Sequence, residues 1–201
     1  MPRLTQETAQ SRRDEIVAAA LRVMATRGVA RTSIADISAE SGLSTGSIYS
    51  HFGGKAQIAA DVAASVIGPR AQALVDSRFE TPEPQTPREI LGVFLGALDD
   101  DQVPHRVVLQ MWAEAAVDVE IGNVVEQAIG QIRDAYKGAV ARWVAAQGGR
   151  VAEVDAITRG MVAVSQGYIV HRALFGPLSL NEYLAGVDAA LGRPHTECPD
   201  A

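Results

Sequence analysis

The capping chemistry of residues 32–55 leaves little choice of local structure. Ser33 followed by Asp36 matches a capping box, so a short helix starts near Ile34. Ile34 and Ile37 sit three apart and face inward. Gly42 falls where that helix must stop, at a left-handed position that favours glycine. Ser44 caps the next helix, with Ile48 as its inward anchor and Phe52 one turn on. Two short helices joined by a three-residue turn form a helix-turn-helix, and such proteins lay the second helix in the DNA major groove.

The outer side of that second helix carries Thr45, Gly46, Ser47, Tyr49, Ser50 and His51. Hydroxyls and an imidazole hydrogen-bond phosphates or base edges, and Gly46 lets the backbone approach a duplex closely. Lys55 falls at the start of the next helix, after Gly53-Gly54, where its charge opposes the helix dipole. A phosphate held jointly by the helix N-terminus and Lys55 removes that conflict. Arg12 and Arg13 oppose a dipole in the same way at the first helix. A solvated surface position is the alternative for each cation.

With these residues in view, the first ~55 positions resemble the DNA-binding domain of the tetracycline-repressor (TetR) family of transcriptional regulators. Arg13, Ile16, Ala19, Ala20, Met24 and Gly28 match the spacing of that family's first helix. Thr32, Ser33, Ile37, Gly42, Leu43, Gly46, Ser47, Ile48, Tyr49, His51, Phe52 and Lys55 match the second and third helices and the start of the fourth. The segment Leu109 to Ala116 is similar to one found in many members, and the rest resembles the family in length and helical layout. One departure is Ala35, where some relatives carry a long basic residue that reaches a base. Thr45, Ser47 and Ser50 are short as well. Sequence choice would then rest on Ser/Thr contacts, thymine-methyl packing, DNA shape and an arm near Arg3.

Charge is divided unevenly. Residues 1–55 hold seven Lys/Arg against five Asp/Glu, and the remaining 146 hold 11 against 19, so a +2 end joins a −8 body in a chain of net −6. DNA contact is therefore confined to the N-terminal end, with few phosphate contacts per subunit and affinity built by pairing subunits. The 201 residues are 47% hydrophobic, enough for a real core. No secretory signal opens the chain, and the uncharged run from Gly160 to His171 is too short to span a bilayer. The single Cys198 excludes an internal disulfide and suits a reducing cytoplasm.

Stop signals divide the chain into helices and no strand-like alternation persists, so the chain reads as all-α with nine helices. The first spans roughly 11–27. The fourth runs from about 54 to 77, kinked or broken at Gly68-Pro69. A proline-rich loop at 79–87 precedes Thr86-Pro87-Arg88-Glu89, a cap with proline at the first helical position. Further helices are expected near 87–98, 104–117, 120–147, 152–175 and 179–191. The resemblance implies two domains: DNA-binding at 1–55, and ligand-binding and dimerisation at 56–201.

The family resemblance implies a cavity among the C-terminal helices for a small molecule. Candidates for its wall are Phe94, Met111, Trp112, Tyr136, Trp143, Met161, Gln166, Tyr168 and His171, with Glu114 less favoured. Those with polar tips rank higher, because a buried hydroxyl or imidazole needs a partner. Residues 161–170 are apolar nearly all round, so the last two helices are expected to pack on a twin in a four-helix arrangement. The expected partners are a double-stranded, near-palindromic operator, a small effector and a second copy of the chain, with no membrane.

Other chemistry is missing from the pattern. No phosphate-cradling glycine loop or nucleophile elbow occurs, and no cofactor is implied. The four histidines (51, 105, 171, 195) lack paired-ligand spacing, and His195 with Cys198 is an incomplete metal site. The competing class is an all-helical enzyme or carrier with a structural N-terminal cap. Such a protein has no reason to expose Thr45, Ser47, Tyr49 and His51 beside Lys55.

Overall fold

The computed structural model describes residues 6–80, 83–99 and 104–191. The Arg3 arm, Asp100 and Asp101, and the His195–Cys198 pair lie outside them. Nine helices occur among the described residues, with no strand: α1 Gln6–Arg27, α2 Ile34–Ser41, α3 Thr45–His51, α4 Lys55–Glu80, α5 Pro87–Gly96, α6 His105–Ala115, α7 Val119–Ala146, α8 Val151–Phe175 and α9 Leu180–Leu191.

Two elements differ from expectation. Helix α1 begins at Gln6, about a turn early. Its extra turn is polar and carries no apolar period, yet Glu7 complements the dipole there and Gln10 bonds Asp14 at 2.8 Å. Helix α4 is continuous through Pro69. Proline brings no N–H for the Ser65 carbonyl and crowds the turn before it. Next to it the Arg70 guanidinium donates to the Val66 carbonyl at 2.5 Å and to the Ala97 carbonyl at 3.0 Å, tying this turn to the end of α5.

Two apolar clusters form. The first holds Ile16, Ala20 and Met24 of α1, Ile37 of α2, Ile48 and Phe52 around α3, and Ile58, Ala59 and Val62 of α4. It also takes in Val107 and Met111 of α6 and Ile121 and Val124 of α7. The second gathers Val66, Ile67 and Leu74 of α4 with Phe94, Tyr136, Met161, Tyr168 and Leu184. Helix α4 therefore serves both clusters, and position 55 marks the start of a shared helix. By composition alone Lys55–Ser77 could cross a membrane, with a mean hydropathy of 1.2, but Val62, Val66, Ile67 and Leu74 are taken up by these protein contacts.

Candidate nucleic-acid interface and apolar cavity

Helix α2 is capped as its sequence implies. The Ser33 hydroxyl accepts the Asp36 N–H at 3.2 Å, and the Asp36 carboxylate accepts the Ser33 N–H at 3.0 Å. Bonds from Ser33, side chain before backbone, hold the Asp36 carboxyl below its ordinary value of 3.8, and Arg27 adds to the effect. A carboxyl lowered by folding stabilises the fold above its unfolded value and loses that contribution as pH falls through the folded one. Melting of the wild type is accordingly expected to drop more between pH 7 and pH 3 than melting of Asp36→Asn. Equal drops would contradict this role.

Gly42 ends α2 at φ +71°. Ser44 then caps α3, its hydroxyl accepting the Ser47 N–H at 3.1 Å. Ile48 and Phe52 are buried beneath α3. Their burial turns Thr45, Gly46, Tyr49 and Ser50 outward, with Ser47 and His51 half-buried beside them. Tyr49 is 58% exposed, a large aromatic that its own chain covers only in part. Ser50 donates to the Ser47 carbonyl at 2.6 Å, which leaves its oxygen free to accept. Ser33 is exposed at the start of α2.

The other contacts proposed from the sequence have occupants within the chain. Lys55 donates to the Ala30 carbonyl at 3.0 Å, which uses one of three ammonium donors and fixes where the charge sits. Thr32 is buried and donates to the Gly28 carbonyl at 2.8 Å, so its side chain supports the turn from inside. Arg13 faces inward, onto Asp61, the His51 carbonyl and the Phe52 ring. Arg22 and Arg27 pair with Glu40 and Asp36, which explains why so many N-terminal arginines leave so little net charge. Arg31, absent from the candidates drawn from the sequence, donates from Nε to the Arg27 carbonyl at 2.9 Å and is otherwise exposed, next to the Ala30 carbonyl that Lys55 binds. The signal for it was only an unassigned cation two residues before Ser33.

An apolar cavity lies between the two clusters. Its walls are Val62, Ala63, Val66 and Ile67 of α4, Pro104 with Val107, Val108, Met111 and Trp112 of α6, Val125, Ala128, Ile129 and Ile132 of α7, and Ile169 of α8. The space between these walls, open mouth included, is about 500 Å³. Of the nine candidate wall residues, Met111 and Trp112 line it.

The remaining candidates are committed elsewhere. Phe94 and Tyr136 meet edge to face at 5.2 Å in a closed core, and the Tyr136 and Ser165 hydroxyls share a hydrogen bond of 2.7 Å. Met161 is buried, Trp143 packs against the same cluster and Gln166 is half-buried on α8. Tyr168 donates to Asp99 at 2.6 Å, beside the Arg172–Asp99 ion pair of 2.8 Å, and the His171 ring lies tilted against Phe175 with centres 5.2 Å apart. Burial raises both tyrosine hydroxyls well above their ordinary range, so they stay protonated and polar at neutral pH. Their partners are protein groups, which is why their polar tips do not mark the cavity.

Helix α6 touches the DNA-proximal end directly. The Gln110 side-chain carbonyl accepts the Val29 N–H at 3.0 Å, in the link between α1 and α2. Gln110 neighbours Met111 on the cavity wall. No group of three or more histidine, cysteine or acidic side chains suited to a metal occurs among the described residues.

Comparison with known proteins agrees with this geometry. Residues 16–62, from α1 into α4, match the family described as bacterial regulatory proteins, tetR family. The HTH-type transcriptional regulator TtgR of Pseudomonas putida is 43% identical over 81 residues, 40% of this chain and 33% of that protein. The chain thus aligns with about a third of that relative's length. A protein of Pseudomonas aeruginosa PAO1 described as a transcriptional regulator superposes with a TM-score of 0.75 at 21% identity, over 93% of this chain and 91% of its own. A protein of Syntrophomonas wolfei described as a TetR-family regulator superposes at 0.78 and 15% identity, over 90% and 93%. At those identities the likeness is one of fold. These proteins are described as regulators of transcription and not as enzymes. The helix-turn-helix end of the chain, residues 16–62, is thus similar to the tetR family of bacterial regulatory proteins, and the likeness over the remaining helices is one of fold.

Proposed function

We propose that the chain is a cytoplasmic DNA-binding transcription regulator, a repressor that holds a near-palindromic operator as a dimer and lets go when a small apolar molecule enters the cavity. The outward face of α3 carries this reading. It is rich in hydroxyls, topped by an exposed Tyr49 and seated on two buried anchors, with Lys55 fixed at its edge. Contacts are assigned to Ser33, Thr45, Gly46, Ser47, Tyr49, Ser50, His51 and Lys55, with Arg31 added from its exposure. Tyr49→Ala and Lys55→Ala are expected to weaken binding to every duplex, and loss of the Lys55 charge to reduce the salt slope by about one contact. Ser47→Ala changes preference among sites instead. Gel shifts over a salt series read all three. Unchanged affinity and slope in both Tyr49→Ala and Lys55→Ala would sink the assignment.

A cavity with only apolar lining favours a neutral ligand without strong hydrogen-bonding groups, since any such group would be stranded there. Its walls include helices α4 and α6, which also hold the helix-turn-helix through Ile58, Ala59 and Gln110. A ligand that spreads these helices strains both supports of α3. Useful coupling requires it to favour the DNA-free form by about 1–3 kcal/mol. Neutral aromatic hydrocarbons are the probe: they are expected to change Trp112 fluorescence and loosen DNA, and Ala128→Leu is expected to block both. Binding that is equal with and without operator would leave a pocket but no sensor.

The exposed Leu174 and Phe175, 58% and 74% accessible, and the small exposed residues Gly160, Ala163 and Gly167 give α8 a face suited to a second copy.

A further inference from the structure

Helix α3 is seven residues long, too short to hold itself. Ile48 and Phe52 set its depth, but two apolar anchors on one line leave it free to roll about that line. A third point of attachment, off the line and directional, is needed to fix which side chains face a duplex.

Arg13 supplies one. One guanidinium nitrogen donates to the carbonyl of His51, the last residue of α3, at 2.5 Å. A second donates to Asp61 of α4 at 2.7 Å. The guanidinium carbon lies 4.2 Å from the centre of the Phe52 ring. A single planar fork thus joins α1, the C-terminal end of α3 and α4. It satisfies a carbonyl that a helix end leaves open and complements the negative end of that helix dipole. Lysine cannot repeat this, having one nitrogen and no plane to lay on the ring.

We infer that Arg13 is a positioning residue for the recognition helix, acting through His51, Phe52 and Asp61, and makes no phosphate contact. The inference rests on the proposed DNA-binding role of α3 and says how that helix is aimed. It reverses the sign of one expectation. A phosphate-binding arginine next to Asp61 is held back by that carboxylate, so removing the acid would strengthen DNA binding. A latch needs the acid, so removing it weakens binding.

The test uses a duplex that the wild type selects from a random pool, with Arg13→Lys, Arg13→Ala and Asp61→Asn measured by salt-dependent gel shift. Arg13→Lys and Arg13→Ala are each expected to bind about tenfold more weakly, the scale of lost charge-assisted hydrogen bonds. Asp61→Asn is expected to weaken binding in the same direction. In all three the slope of log K against log salt stays at the wild-type value. Amide exchange in residues 45–52 is expected to quicken in Arg13→Lys while exchange in α8 is unchanged. Should Arg13→Ala fail to fold, Arg13→Lys and Asp61→Asn carry the result. Wild-type affinity in Arg13→Lys, a lower salt slope in Arg13→Ala, or tighter binding in Asp61→Asn would each overturn the latch while leaving the DNA-binding reading intact. A wild type that selects no duplex would overturn that reading instead, and the exchange measurement would still decide whether Arg13 holds α3.

Discussion

Ala163→Glu is expected to give a folded monomer that binds its operator about 10²–10⁴-fold more weakly than the wild type. Ala163 is exposed on α8 between the exposed Gly160 and Gly167, so a glutamate there meets solvent in the single chain and costs the fold little. In a two-fold interface the same substitution faces a copy of itself or its surroundings twice over. Two buried carboxylates without partners destabilise that contact strongly. Once the subunits part, the second half-site is no longer bound at the high effective concentration the first one creates. Sedimentation at micromolar concentration, melting and gel shift separate the three consequences. A wild type that sediments as a monomer, or an Ala163→Glu dimer with intact binding, would contradict the assembly.

Ile48→Ala is expected to cost about 2–5 kcal/mol, the range for emptying a buried isoleucine site. Ile48 is fully buried and is one of two anchors for a seven-residue helix. Total stabilities of domains are only ~5–15 kcal/mol, so the loss falls where there is least to spare. The melting temperature should fall by about 2–4 °C per kcal/mol for a chain of this size, and DNA binding should vanish. The cluster around Phe94 and Tyr136 lies outside the damage and keeps its near-ultraviolet signal. Tyr49→Ala is the paired control: the exposed ring can be lost with little change in melting while DNA affinity falls. Melting of Ile48→Ala at the wild-type temperature would show that α3 is held by something other than its anchors.

Local chemistry made the helix-turn-helix legible. A capping box needs only Ser33 and Asp36, and a left-handed stop needs only Gly42, so both can be read in a short window. The second capping box, Thr86 with Glu89, was legible for the same reason. Where a distant partner decides, the sequence was silent or misled. Pro69 reads as a break, yet α4 runs on through it with Val66, Ile67 and Leu74 buried in the core on either side. Arg13 reads as a misplaced cation until Asp61, 48 residues on, takes it up. Tyr136 and Tyr168 read as ligand contacts because their hydroxyls need partners, yet Ser165 and Asp99 lie 29 and 69 residues away. Periodicity names the inward face of a helix but cannot tell a filled interior from a void. That is why the α4 wall of the cavity, from Val62 to Ile67, went unread.

Whether this chain reads a defined operator as a pair is decided by letting the wild-type protein select duplexes from a random pool. The expected result is one enriched, near-palindromic sequence, bound by two chains, with half-sites centred about 34–36 Å apart or a multiple of that distance. The enriched preference should shift in Ser47→Ala and collapse in Ala163→Glu. A pool that shows no enrichment after repeated rounds, with binding no stronger than to unrelated duplex, would contradict it.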